Sequence, residues 1–143
     1  MTLVVIAGKF DPPHEGHIAH IRAAAKLGDF LCIITHADNM VAQNSSKGIC
    51  VLKFDVRRDL LLGLLALYKI KGNVVQAKDT DGTITESLKL IQPDIFAKGG
   101  DRNPDNMPKS EIEICKEIDC KIIYGVGGKN KIASSSKLVR RAQ

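Results

Sequence analysis

Leu3-Val4-Val5-Ile6-Ala7-Gly8-Lys9-Phe10-Asp11-Pro12-Pro13-His14-Glu15-Gly16-His17 is the stretch on which the fold turns. Its first part, Leu3 to Ala7, is a short unbroken apolar run rich in β-branched side chains, as expected of a strand buried on both faces. The chain then turns polar, and apolar residues return at Ile18, Ile21 and Ala25 with helical spacing, ending near Gly28. A strand therefore runs through a turn containing glycine and proline into a helix. Gly8 and Gly16 lie in that passage, where a missing Cβ lets a phosphate chain approach the backbone and the free amides of the helix start can meet it.

The alternation continues along the chain. Leu31 to Thr35, Asn73 to Ala77, Asp94 to Lys98 and Lys121 to Tyr124 repeat the strand pattern. Between them, Leu61, Leu64, Leu65 and Tyr68 mark a helix ending near Gly72, and Ile84, Leu88 and Ile91 mark one stopped by Pro93. A further helix is expected from Pro108 to Asp119. Thr83 with Glu86 and Ser110 with Glu113 fit capping boxes, in which side chains satisfy first-turn amides. Strand and helix alternating in this way predict an α/β fold, a doubly wound five-stranded parallel sheet with right-handed crossovers. Residues 1–143 are read as one domain. Ligands of such sheets sit beyond the carboxyl ends of the strands, where strand order reverses. The polar stretches at 36–53 and 99–109 are candidates for mobile flaps.

Composition narrows the function. The chain has 143 residues, 44% hydrophobic and 26% charged, enough for one packed core without disulfide or metal staples. The first seven residues lack the flank and length of a signal peptide, and the longest apolar run, Leu60 to Tyr68, is about half of the ~20 residues a membrane-spanning helix needs. A cytoplasmic protein without membrane attachment is expected. Cys32, Cys50, Cys115 and Cys120 contain no Cys-x-x-Cys pair, so they read as buried free thiols and not as zinc or redox ligands. The net charge of +5 suits a polyanionic partner, but four Phe, two Tyr and no Trp are few rings for a single-strand nucleic-acid platform. His14-Glu15-Gly16-His17 has the wrong spacing for a zinc protease, whose two histidines sit at i and i+4.

The His-x-Gly-His element at 14–17, preceded by Gly8-Lys9-Phe10-Asp11-Pro12, resembles the signature of the nucleotidyltransferase superfamily that includes glycerol-3-phosphate cytidylyltransferases and heptose-phosphate adenylyltransferases. The resemblance covers almost the whole chain and implies a Rossmann-like nucleotidyltransferase fold. It implies that His14 and His17 are catalytic and contact the nucleotide phosphates, with Gly8, Lys9, Phe10 and Gly16 around them. It assigns Lys47, on the loop after Thr35-His36-Ala37-Asp38, to hold phosphate and close over the triphosphate. Asp11, Asp38 and one of Arg57 and Arg58 are expected at the acceptor, the register of the two arginines being open by one. Phe96-Ala97-Lys98-Gly99-Gly100-Asp101 resembles the Lys-Gly-Gly-Asp element of the heptose-phosphate branch and implies nucleotide contacts from Lys98, Gly99 and Asp101. Ile132-Ala133-Ser134-Ser135-Ser136 resembles an element whose hydroxyls meet the β- and γ-phosphates, here Ser134, Ser135 and Ser136. Lys9 departs from the family pattern, which often has Thr there. His20 lies outside the signature and reads as packing or solvated.

These elements imply transfer of a nucleoside monophosphate from ATP or CTP to a small phosphorylated acceptor with release of pyrophosphate. Mg²⁺ arrives with the triphosphate, and no dedicated metal site is expected. A sugar phosphate of the heptose 1-phosphate type stands first as acceptor, glycerol-3-phosphate second and a flavin phosphate third. Nucleic acid is not expected as a partner, and a homo-oligomer is left open. The competing reading is a module of the same fold that binds nucleotide or RNA without turnover.

Overall fold

The computed structural model describes residues 1–100 and 102–128. Five parallel strands, β1 (Leu3–Gly8), β2 (Phe30–Thr35), β3 (Gly72–Gln76), β4 (Ile95–Ala97) and β5 (Lys121–Ile123), form one sheet in the order β3-β2-β1-β4-β5. The helices are α1 (Glu15–Ala25), α2 (Asp38–Gln43), α3 (Phe54–Leu67), α4 (Thr85–Ile91) and α5 (Lys109–Glu117). Chain order runs outward from β1 in one direction, returns, and runs outward through β4 in the other. The expected doubly wound α/β fold is therefore present, and its reversal lies between β1 and β4.

Strand alternation builds two cores. Val4, Ile6, Leu31 and Ile33 face α1 and α3, meeting Ile21, Ala24, Leu61 and Leu65. Val5, Cys32, Ile34 and Phe96 face the other way, onto Leu88 of α4 and Ile114 and Cys115 of α5. Both faces of the central strands are thus covered, which is why these segments read as unbroken apolar runs. Each fully buried Val, Ile or Leu stabilises the sheet by roughly 1.5–3 kcal/mol. Cys32, Cys115 and Cys120 are buried free thiols, whereas Cys50 is only half-buried, a departure from the expectation for all four.

Three local readings change. The stretch expected as a flap at 36–53 contains α2 and is tied to the body of the protein by side chains described below. The Thr83–Glu86 box does not form. The start of α4 is served by Asp79, whose carboxylate accepts the amides of Glu86 at 2.7 Å and Ser87 at 3.1 Å, and by Glu111, which accepts the amide of Ile84 at 3.1 Å. Ser110 lies inside α5 rather than at its cap, and its hydroxyl accepts a 2.8 Å hydrogen bond from Thr85 that joins the two helices.

Candidate active site at the strand reversal

β1 ends at Gly8, and the chain passes through a turn before α1 begins. Phe10 is the anchor of that turn. It is 1% exposed, its backbone is left-handed at φ 51°, and a Cβ on Gly8 would stand 3.2 Å from its ring. A bulky residue at positive φ is uncommon and costs of order 1 kcal/mol, so the packing around it must hold it there. The ring lies 4.7 Å from that of His17, centroid to centroid. Phe10, expected around the nucleotide, is buried with its ring against that of His17.

His14 is the N-cap of α1 with extended backbone, and the two histidines form a reciprocal capping box. The Gly16 amide donates to His14 Nδ1 at 3.1 Å, and the His14 amide donates to His17 Nδ1 at 3.2 Å. The rings stack with centroids 3.8 Å apart and planes 21° from parallel. Because each Nδ1 accepts a backbone proton, each neutral ring carries its own proton on Nε2. Burial lowers the pKa of both; for His17, burial and then the charges of His14 and His20 bring it to about 3. At neutral pH the pair is therefore two uncharged imidazoles with Nε2–H donors, set at the positive end of a helix dipole.

A second wall comes from the carboxyl end of β4. Lys98 follows the strand, half-buried, its ammonium 4.6 Å from the Phe96 ring centre and 3.9 Å from Glu111. Burial lowers the Lys98 pKa and raises that of Glu111, while each one's charge works against its partner's shift. Gly99 is required by packing: a Cβ there would fall 2.8 Å from Nδ1 of His20. His20 Nδ1 also lies 2.7 Å from the Val126 carbonyl, and a Cβ on Gly127 would fall 2.8 Å from the His20 Cα. His20 thus braces two rim loops from α1. Asp101 and Ser134, Ser135 and Ser136 lie outside the described residues.

The third wall is bound together by Arg57. Its side chain is 0% exposed. Nε donates to Leu52 O at 2.9 Å, Nη1 to Lys9 O at 3.1 Å and Thr35 Oγ1 at 2.5 Å, and Nη2 to His36 O and Asp38 Oδ1 at 2.9 and 2.8 Å. One guanidinium joins the loops after β1 and β2 to the start of α3. Asp38 Oδ1 also accepts the Phe54 amide at 2.8 Å, and the Asp11 carboxylate accepts the amides of Val51 and Leu52 at 2.7 and 2.5 Å. The Lys9 ammonium donates to Asn44 O. Arg57, one of the two arginines expected at the acceptor, has no exposed side-chain surface and holds these loops in position. Arg58 is partly exposed and paired with Asp55 and Asp59 at 3.4 and 3.3 Å. Lys47 is exposed in the loop that Asp11 and Asp38 hold.

His36 carries signals that sequence reasoning passed over. It follows Thr35, the register partner of Gly8, so it stands at the rim beside the first loop. Its Nδ1 is buried without a hydrogen-bond partner among the described residues. Burial lowers its pKa; the charge of Asp79 opposes that shift, and those of Arg57, Lys9 and Lys98 add to it. Glu111 was likewise missed, because nothing local to its helix announces that it faces Lys98. Among the described residues no group of three or more His, Cys, Asp and Glu side chains is placed to hold a metal, and no helix is long and apolar enough to cross a membrane.

The family model described as cytidylyltransferase-like matches residues 5–141. The chain is 33% identical over 138 residues to the bifunctional protein HldE of Photobacterium profundum, covering 96% of this chain and 27% of that protein. It is 30% identical over 121 residues to HldE of Vibrio vulnificus, covering 85% and 24%. The chain thus spans about a quarter of the length of these curated relatives. Among solved structures, the lipopolysaccharide core biosynthesis protein from Thermoplasma volcanium superposes with a TM-score of 0.67 at 27% identity, covering 87% of this chain and 95% of that one. Thermotoga maritima TmcAL bound with alpha-thio ATP shares the fold, with a TM-score of 0.70 at 11% identity over 99% of this chain and 50% of that one. The match runs through all five strands and takes in the paired histidines at the reversal, and on it this chain belongs to the cytidylyltransferase-like family.

Proposed function

We propose that the chain is a nucleotidyltransferase that moves a nucleoside monophosphate from ATP or CTP to a phosphorylated acceptor, a sugar phosphate first among candidates, and releases pyrophosphate. An acceptor phosphate oxygen attacks the α-phosphorus, a new P–O bond forms, and the bond to the α,β-bridging oxygen breaks with its electron pair leaving on pyrophosphate. The attacking oxygen is already anionic, so the step needs neither a general base nor a covalent nucleophile. What it needs is donors aimed at charge that grows on the phosphate oxygens. The reciprocal cap of His14 and His17, which leaves a proton on each Nε2, is the observation that carries this reading.

In this mechanism His14 and His17 donate to the phosphates, the first turn of α1 adds its dipole, and Lys98 and Lys47 supply positive charge from either side. Both carboxylate oxygens of Asp11 accept backbone amides, and Oδ1 of Asp38 accepts the Phe54 amide and Arg57, so these two side chains shape the loops beside the site. Mg²⁺ arriving with the triphosphate would supply neutralising charge for the departing pyrophosphate, beside the donors of His14 and His17.

The test is a pyrophosphate-release screen crossing four nucleoside triphosphates with sugar phosphates, glycerol-3-phosphate and flavin phosphate. His14→Ala or His17→Ala is expected to lower turnover on the order of 100- to 1000-fold, the loss of one preorganised donor, with the circular-dichroism spectrum retained. Full activity in either variant would falsify the mechanism. Nucleotide binding without pyrophosphate release from any pair would instead establish a binding module.

A further inference from the structure

Among the described residues only Arg57, Asp79 and Glu111 are both charged and buried. Each nitrogen of the Arg57 guanidinium donates a hydrogen bond, and both oxygens of Asp79 accept them. Glu111 is different. Its Oε2 accepts the Ile84 amide at 3.1 Å, which fixes the carboxylate to the start of α4. Its Oε1 is buried without a hydrogen-bond partner among the described residues and lies 3.9 Å from the Lys98 ammonium.

A buried ion pair built for stability closes to hydrogen-bond distance, because otherwise the desolvation of two charges outweighs their attraction. This pair stays open. The charges attract across 3.9 Å, yet Oε1 keeps unspent lone pairs and the ammonium keeps donors to give. One partner is pinned by a backbone amide, whereas the other rides a flexible four-carbon stem. Lys98 follows β4 on the carboxyl rim beside the strand reversal, where ligands of such sheets sit. Its charge is felt by His20 on α1 and by His36 after β2, so it reaches toward the other two walls.

Building on the transferase reading, we infer that Glu111 is a positioning residue for Lys98: its fixed carboxylate stations the charged ammonium at the mouth of the site, near enough to hold the charge and too far to occupy the donors, which pass to the phosphates of an arriving triphosphate. The lysine changes partner and no proton is transferred. Around the ammonium stand Glu111 and Cys115 of α5, Arg102 of the following loop, His20 and His36. Burial lowers the Lys98 pKa, Glu111 opposes this, Arg102 adds to it and Cys115 opposes it. Removing the Glu111 charge therefore lets Lys98 lose its proton at a lower pH.

The test is the affinity for Mg-ATP and Mg-CTP, measured by calorimetry between about pH 6 and about pH 9.5. Lys98→Met is expected to bind at least about tenfold more weakly than the wild type near the acid end, having lost a set of charge-assisted hydrogen bonds. Glu111→Gln, which keeps an acceptor for the Ile84 amide, is expected to bind like the wild type there and to lose at least about tenfold as pH rises, at a lower pH than the wild type does. A purely structural Glu111 would instead weaken binding alike at every pH. Should Glu111→Gln unfold, the pair is read from the other side: the carboxyl carbon-13 resonance of Glu111 is expected to titrate at higher pH in Lys98→Met than in the wild type. Affinity in Glu111→Gln that tracks the wild type or falls alike at every pH, or a Glu111 titration indifferent to Lys98→Met, would overturn the role of Glu111 and leave the transferase reading intact. Absence of pyrophosphate release from the wild type with any acceptor would overturn that reading and leave the pH displacement standing. A wild type that binds neither nucleotide would remove both.

Discussion

A proton added to the neutral His17 ring has only Nδ1 to go to, and that atom already accepts the His14 amide at the start of α1. Charging the ring therefore removes a cap as well as placing charge in a buried position beside His14 and His20. The folded-state pKa of about 3 lies below the ordinary 6.5, so between these values the unfolded chain takes up a proton that the folded chain refuses. Stability is accordingly at its full value above about pH 6.5 and falls as pH drops toward 3, by an amount on the order of a few kcal/mol. Urea midpoints at pH 7 and pH 5 check this. His17→Asn, which keeps an acceptor for the His14 amide and loses the titration, is expected to flatten the difference. Arg57 makes a separate prediction. Arg57→Ala strands carbonyls and a carboxylate that share one buried guanidinium, and is expected to cost about 3–5 kcal/mol in urea unfolding. Arg57→Lys should recover little of it, since three donors on a flexible stem cannot reproduce a rigid fork. The histidine pair was legible in the sequence because its partners are its own neighbours at i+2 and i+3. The burial of Arg57 was not, because its acceptors come from Lys9, Thr35, His36, Asp38 and Leu52, and only the folded chain brings them together.

Elements show the same division between local and distant causes. Apolar β-branched segments announced the five strands to within a residue or so, most plainly β1 and β2, which are covered on both faces and have no polar face to disguise them. Helix starts misled where the amides found acceptors beyond the local box. For α4 these are Asp79, six residues ahead of the helix, and Glu111 in α5, and a local pattern of Ser or Thr followed by Glu contains neither. Asp79→Ala removes the acceptor of two amides and of the Ser87 hydroxyl, and is expected to lower stability by about 2 kcal/mol in urea. Thr83→Ala, which leaves Asp79 in place, should cost clearly less. Equal losses from the two would return the cap to the position expected from the sequence. The short α2 escaped notice because six residues hold too little periodicity to rise above a polar loop.

For the whole molecule, alternation of strand and helix was enough to foresee a doubly wound sheet, while the order of its strands came only with the structure. That order grades stability across the fold. β1 and β2 share six register pairs, whereas β4 and β5 are three residues each and β5 lies at an edge. Native-state hydrogen exchange is therefore expected to be slowest in β1 and β2 and distinctly faster in β5; uniform protection across the sheet would contradict this grading. Sequence reasoning also foresaw the rim and the passage from Gly8 to His17, but which side chains form its surface and which its masonry is a property of packing. The two directions of the sheet meet between β1 and β4, and only Val4–Ile95 and Val5–Phe96 are in register across that seam. Any ligand reaching from the His14 loop to the Lys98 loop lies over this sparsely stitched join. Its covalent skeleton would then serve as a splint, uniting two halves of the chain that the backbone ladder itself holds by a couple of rungs.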